Sequence, residues 1–473
     1  MLATPLPFRY NPRRLRLAFN PTLPGRHPLS FSQRLQEIRT GFQPAFWVAN
    51  ITELFERLAF YAQQAVLVVY LHEVLKFSQQ ESGDLTGFFG GTVWLLPILG
   101  GTLADRFGFR RSLALAYLVL GTGYFLLGSL SASWMAPVRE SFPLYWLVFV
   151  ILFIPALGPA VIKPCVVGIT ARASSENVRS LGYSIYYTLV NVGSTFGPLT
   201  ALAFRQRFGI ESVFRVCAFT AFAMCLATLF FFKEPRQGEE KKVASVAEAF
   251  RNLFAVLINV RFMAFLIIFS GFWVMFWQEF ISLPLYVRGY VNPESDIELL
   301  LTVDPLVVIL LTILVSYLFR KMRAFPAMTL GVLVATFCWV LLAVNDLSWQ
   351  VNTTLNLGFF SLPVRGFPVV GGIALAVLAI GEIIQSPRYY EYISRLAPSG
   401  QQGVYMGFAF LPIGIGYYIA GALGGRLVHH YGEVLHKPRQ MWWVLVAVGF
   451  LTTVLMIVYN RIVKPVDNSP STS

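Results

Sequence analysis

The sequence predicts an all-α integral membrane protein whose twelve transmembrane helices form two bundles of six with inverted repeats. Three observations carry that prediction. The 473 residues are 56% hydrophobic and only 13% charged, far from the balance of a soluble domain. Apolar runs of about 20 residues, the length that crosses a bilayer, recur twelve times. One long charged segment, KEPRQGEEKKVASVAEAFRNLFAVLINVR, separates six of these runs from the other six.

Taken in order, residues 1–44 carry seven arginines and several prolines but no apolar core followed by a small-residue cleavage site. They read as a basic cytoplasmic tail, with no cleaved signal expected. The predicted spans are 45–71, 82–104, 112–132, 143–170, 182–204 and 212–232, then 261–290, 298–319, 326–344, 366–394, 403–428 and 440–463. Residues 45–232 and 261–463 are thus the two bundles, 233–260 a cytoplasmic linker and 464–473 a C-terminal tail. In the linker, Val246, Ala249, Phe250, Phe254 and Leu257 have the spacing of an amphipathic helix over 243–257, suited to the inner membrane surface. A second long connection, NDLSWQVNTTLNLGFFSLPVRG, joins the ninth and tenth spans.

The formal charge of +13 does not point to nucleic acid, because Lys and Arg cluster between apolar runs instead of forming one basic face. With both termini cytoplasmic, about 25 of the 37 basic residues fall inside and about 10 outside, as the positive-inside rule requires. The four cysteines lie in apolar runs without metal or disulfide spacing. No metal or cofactor is expected. The five scattered histidines and the lack of a nucleophile set or phosphate-cradling loop argue against an enzyme.

Charges inside spans are costly, so those that persist usually face a partner or a water-filled path. Glu53, Glu56 and Arg57 share one face of the first span, which Phe60 and Tyr61 continue. A span starting later, at Leu58, would leave these charges among the headgroups but strand the apolar AFWVANI in a loop. Lys163 in the fourth span precedes Pro164, which removes a backbone donor and loosens the helix beside the charge. Gln278 and Glu279 sit in mid-span in the seventh, and Glu382 in the tenth, followed by Ser386, Pro387 and Arg388. Arg388 and Glu391 read equally well as a structural pair near the inner face. Asp304, about two turns into the eighth span, reads equally as a capping or a functional residue, and Asn191 as interhelical glue. The strongest charges fall in spans one, four, seven and ten, which occupy equivalent places in an inverted-repeat transporter. Lys163 is therefore expected opposite Glu382 across one central cavity.

The segment GGTLADRFGFRR, with Gly100, Gly101, Asp105 and Arg106, resembles the loop signature of the major facilitator superfamily. Within it the chain resembles the proton-dependent oligopeptide transporters. Their ExxERFxYY pattern is met by Glu53, Glu56, Arg57 and Tyr61, with Leu58 and Phe60 at two altered places. Their IKPC is Ile162 to Cys165, their FYxxINxGS is YYTLVNVGS at 186–194, and their tenth-span glutamate with Ser-Pro is Glu382, Ser386 and Pro387. The chain departs from the family at Pro159 and Ala160, at Trp277, and at Arg388 to Glu391.

The resemblance implies a monomeric multi-pass carrier of the cell membrane that moves di- or tripeptides, or related zwitterions, with protons. It further implies that Arg57 and Lys163 meet the substrate carboxylate, that Glu382 and Glu279 meet its amine or balance Lys163, and that Tyr61, Asn191 and Gln278 add polar contacts. Glu53, Glu56 and Arg57 would couple the proton: protonating either carboxylate weakens its hold on Arg57 and frees the guanidinium. The alternative is the same fold acting as a carrier or proton antiporter for another organic solute or drug.

Overall fold

The computed structural model describes residues 40–98, 107–235, 254, 256–356, 358, 361–398 and 402–463. Gly100, Gly101, Asp105 and Arg106 lie outside these residues, as do nearly all of the two tails and most of the expected linker helix.

Long helices stand at the predicted places: α1 (Pro44–Val69), α2 (Gln79–Leu95), α3 (Phe109–Leu127), α4 (Leu144–Arg172), α5 (Arg179–Phe208), α6 (Glu211–Phe231), α7 (Val260–Phe276), α8 (Val303–Leu318), α9 (Ala324–Val344), α10 (Val369–Leu396), α11 (Leu411–Val428) and α12 (Met441–Val463). Among the described residues, eight helical spans are long and apolar enough to cross a membrane. The other four predicted spans are α1, α2, α3 and α5. They are helical but more polar or shorter: α1 holds Glu53, Glu56 and Arg57, α3 opens on Arg110 and Arg111, and α2 is described only as far as residue 98.

One proline, Pro284, accounts for a break in a predicted span, whereas those of α4, α5 and α10 lie in continuous helices. The predicted seventh span is broken after Phe276 by a 3-10 turn, Trp277–Glu279, before a short helix, Ser282–Tyr286. Pro284 has no N–H for the carbonyl of residue 280, and its ring collides with that carbonyl, so the turn before it has to give way. The break leaves Glu279 on an irregular turn instead of a helix face.

The all-α expectation has one exception. The ninth connection folds as an antiparallel hairpin of β1 (Gln350–Asn356) and β2 (Ser361–Pro368), with Leu355 opposite Leu362. Burial alternates along β2, with Leu362 and Val364 turned inward, and the tenth helix therefore starts at Val369 and not within the hairpin.

The packing is symmetric. In the first half α1 packs on α5 and α6, α4 on α2 and α3, and α3 on α6. In the second half the same pairs recur six helices later: α7 on α11 and α12, α10 on α8 and α9, and α9 on α12. Exchanging the first three helices of a half with its last three maps its pairs onto each other, which is the inverted repeat. The halves meet through α2 against α11 and α5 against α8, a pairing the same exchange preserves.

Ion pairs join the halves at the end that carries the hairpin. Arg205 at the close of α5 holds Asp296 at 2.8 Å and also Glu298. Arg288 holds Glu73 at 2.6 Å, and Arg426 on α11 holds Asp84 on α2 at 2.6 Å. The hairpin is fastened to the first of these: the backbone N–H of Arg365 donates to Asp296 at 2.8 Å, and Gln206 donates to Asp296 and to the carbonyl of Pro363.

Helix α1 lies close against α5 because α5 presents glycine there. A Cβ on Gly193 would stand 2.7 Å from the carbonyl oxygen of Leu54 and 2.8 Å from the Cβ of Arg57. Gly193→Leu is therefore expected to lower the thermal midpoint of the purified protein, at a cost of about 1–3 kcal/mol. Gly289→Ala is the control, since nothing lies within 4 Å of its added Cβ. Equal midpoints for the two variants would refute the close packing.

Candidate functional site

Glu53, Glu56 and Arg57 lie inside α1, and no more than 2% of each is exposed. Arg57 is gripped in a fork: Nε donates to one oxygen of Glu56 at 2.5 Å and Nη2 to the other at 2.6 Å. Its guanidinium also covers the Phe60 ring at 4.9 Å. Glu53 is held less closely. Its Oε1 is 3.5 Å from Arg57 Nε, and neither of its oxygens has a hydrogen-bond partner among the described residues. The two glutamates are therefore unequal, one chelating the arginine and one beside it.

Lys163 belongs to this group and not to the opposite half. It is buried on α4, a helix with prolines at 155, 159 and 164, and its Nζ sits 3.1 Å above the Trp94 ring of α2. Its charged neighbours are Arg57, Glu56 and Glu53. The expected meeting of Lys163 with Glu382 does not occur: Glu382 lines a cavity to which Lys163 contributes nothing. The ammonium rests on the Trp94 ring face, with Glu56 and Glu53 of its own half as its carboxylate neighbours.

That cavity, of about 40 Å³, lies between the halves and has room for little more than a water or two. Its acidic wall is Glu279, Asp304 and Glu382, from the broken seventh span, α8 and α10. Tyr61, one turn beyond Arg57, comes from α1, and Asn191 and Ser194 come from α5. Phe276, Phe280, Pro305 and Val308 complete it. Asn191 donates its amide to the carbonyl of Tyr187 at 2.8 Å, which leaves its side-chain oxygen available to the cavity.

Gln278 does not reach the cavity. It is fully buried and faces α11, donating to the carbonyl of Ala420 at 3.1 Å and accepting from the Ser282 hydroxyl. In the 3-10 turn it points away from its neighbour Glu279, so it ties the broken helix to α11. Arg388 and Glu391 form the structural pair, 2.7 Å apart, and Arg388 also donates to the carbonyls of Phe319 and Arg320. Pro164 and Pro387 sit within α4 and α10. For Asp304, which reads equally as a capping or a functional residue in the sequence, the structure favours the functional reading: Asp304 is 5% exposed and lines the cavity. Its signal was the Asp-Pro pair, since Pro305 fits the first turn of a helix that restarts inside the protein. Trp94 was missed altogether because its role rests on a contact between α2 and α4.

The family model of the Major Facilitator Superfamily matches residues 50–384. The chain belongs to the major facilitator superfamily. Among curated members, dipeptide and tripeptide permease B of Salmonella typhimurium (strain LT2) is 26% identical over 253 residues, 52% of this chain and 48% of the permease. The match thus spans about half the permease's length. The multidrug resistance protein MdtH of Salmonella paratyphi B is 23% identical over 360 residues, 76% of this chain and 79% of that protein. The fold is that of solved POT family transporters. One in complex with a thioalcohol-conjugated peptide aligns with a TM-score of 0.69 at 17% identity, covering 90% of this chain and 96% of the other. Another, with 5-aminolevulinic acid, aligns at 0.68 and 17% identity, covering 90% and 96%.

The unequal glutamates of this superfamily member give a test. Glu56→Gln removes a charged acceptor from a buried fork and is expected to cost about 3 kcal/mol. Glu53→Gln neutralises a carboxylate that accepts no hydrogen bond and is expected to change stability by less than about 1 kcal/mol. Thermal unfolding in detergent reads the difference, and a larger loss for the Glu53 variant would overturn the assignment.

Proposed function

We propose that the chain is a secondary active transporter that couples protons to the uptake of di- or tripeptides, or related zwitterionic solutes, by alternating access. The observation that carries this reading is the fork of Arg57 on Glu56, one helical turn from Tyr61 at the wall of a cavity shared by both halves. A proton arriving at the Glu56 carboxylate removes its charge and loosens both hydrogen bonds. Arg57 then turns to the carboxylate of the solute, with Lys163 beside it, while Glu279, Asp304 and Glu382 receive the amine. Glu53 holds the arginine during the exchange, and Tyr61 and Asn191 add polar contacts.

In this reading residues 45–232 and 261–463 rock against one another across the cavity, and the linker at 233–260 lies at the cytoplasmic surface. With both termini cytoplasmic in the cell membrane, the hairpin end faces outward. Its arginine-carboxylate pairs then close the outer side of a monomeric carrier, and they have to part for the solute to enter. The permease likeness and the shared POT fold support peptides as cargo. A second reading, export of an organic cation or drug in exchange for protons, is favoured by the broader match to MdtH and by the aromatic walls Phe276 and Phe280.

Reconstituted protein is expected to concentrate dialanine in liposomes under an inward proton gradient. Arg57→Lys keeps the charge but loses the two-pronged geometry and should lower uptake at least tenfold. Glu56→Gln should abolish gradient-driven accumulation while preserving exchange of dialanine for dialanine. Uptake no greater than that of empty liposomes, together with a Glu56→Gln variant indistinguishable from wild type, would sink the proposal.

A further inference from the structure

The charges inside the molecule are distributed unevenly. Around α1 two carboxylates, Glu53 and Glu56, face two cations, Arg57 and Lys163. The cavity between the halves has three carboxylates, Glu279, Asp304 and Glu382, and no cationic side chain among its described lining. The nearby cations are already engaged, Arg57 in the Glu56 fork and Lys163 over Trp94. Glu279 Oε2 and Asp304 Oδ1 lack any hydrogen-bond partner among the described residues, although the two residues are only 1% and 5% exposed. Buried carboxylates in this condition need protons, or positive charge and donors from whatever enters.

We infer that this acidic wall, once the halves open beyond the roughly 40 Å³ enclosed here, selects solutes carrying two cationic groups, such as a diamine or a dipeptide with one basic side chain, over solutes carrying one. A single ammonium satisfies one or two of the carboxylates and leaves another that has to take up a proton or keep a buried charge without a partner. A second cationic group, a few ångströms along the same solute, removes that charge. Asp304 is the specificity-determining residue, because it adds a third carboxylate to the pair on the seventh and tenth spans. Phe276, Phe280 and Tyr61 add ring faces that favour cations. The inference rests on the transport reading for the solute's route, but its content is a binding preference and can be measured separately.

The experiment is calorimetric titration of the purified full chain in detergent with 1,5-diaminopentane, 1-aminopentane and dialanine. The diamine is expected to bind at least tenfold more tightly than the monoamine. Asp304→Asn should cut that ratio to threefold or less, and Asp304→Glu should restore it, which separates loss of the carboxylate from loss of the fold. A diamine that binds no better than the monoamine overturns the inference on the wild-type protein alone. A ratio unchanged in a monodisperse Asp304→Asn variant overturns the role of Asp304. Proton-driven dialanine uptake without a diamine preference defeats this inference and leaves the transport reading standing, and a diamine preference without any such uptake does the reverse.

Discussion

A charge buried inside a membrane protein can be neutralised only by the protein, by a proton or by a passing solute, and the Arg57–Glu56 fork is where this constraint is most tightly met. Two bonds of 2.5 and 2.6 Å fix the guanidinium against its own neighbour in sequence. Adjacent residues on a helix do not ordinarily face each other. Here both side chains curl toward the same interior because α5 closes over them, and it can close because Gly193 and Gly197 bring its backbone against Leu54 and Leu58. The ion pair and the helix packing therefore depend on each other: bulkier residues on α5 would push α1 away, and an unpaired Arg57 would make its burial too costly to keep.

The same constraint operates at the hairpin end, with a different outcome. Arg288 and its partner Glu73 are partly exposed there, so that bond can be exchanged for water at modest cost. Arg205 is partly exposed too, but Asp296 and Glu298 are buried, so its pairs part only if water reaches those carboxylates. Pairs of this kind suit a contact that has to form and break. The hairpin adds direction to it: the Arg365 N–H orients Asp296 independently of α5, while Gln206 and Arg205 reach the same carboxylate together from α5, so one acidic residue joins α5, the α7–α8 connection and the β-strands. In the proposed cycle, parting the halves at this end would release Arg205 and Gln206 while the Arg365 N–H keeps hold of Asp296, leaving the acidic partner poised for closure.

Much of this could be read from the sequence, for reasons specific to each residue. The helices were legible because the bilayer demands long apolar runs, and the burial of Glu53, Glu56 and Arg57 was legible because the alternative exposed AFWVANI. The hairpin is not legible from apolar runs of about 20 residues, because its signal is the two-residue alternation of SLPVRGFP. Gln278 and Glu279 were read as a pair on one helix, but Pro284 breaks that helix and sends them to different places. Lys163 was assigned a carboxylate partner by analogy between the halves. Its actual partner, the Trp94 ring, depends on how α2 packs against α4, which no local pattern encodes.

The symmetry of the backbone makes the asymmetry of the charges informative. If the two halves were equivalent in chemistry as they are in packing, the cavity would receive cations from one half to match the anions of the other. Instead the first half settles its charges internally, and the second half delivers its carboxylates to the interface. A cavity built in this way is incomplete while empty, because closing both sides around three carboxylates carries a cost that only added positive charge relieves. In the proposed cycle, occupancy and closure would then be coupled through electrostatics. A proton on a carboxylate, a cationic solute, or Arg57 released from Glu56 all answer the same deficit, so each of them favours the closed cavity, and any two together favour it more than either does alone.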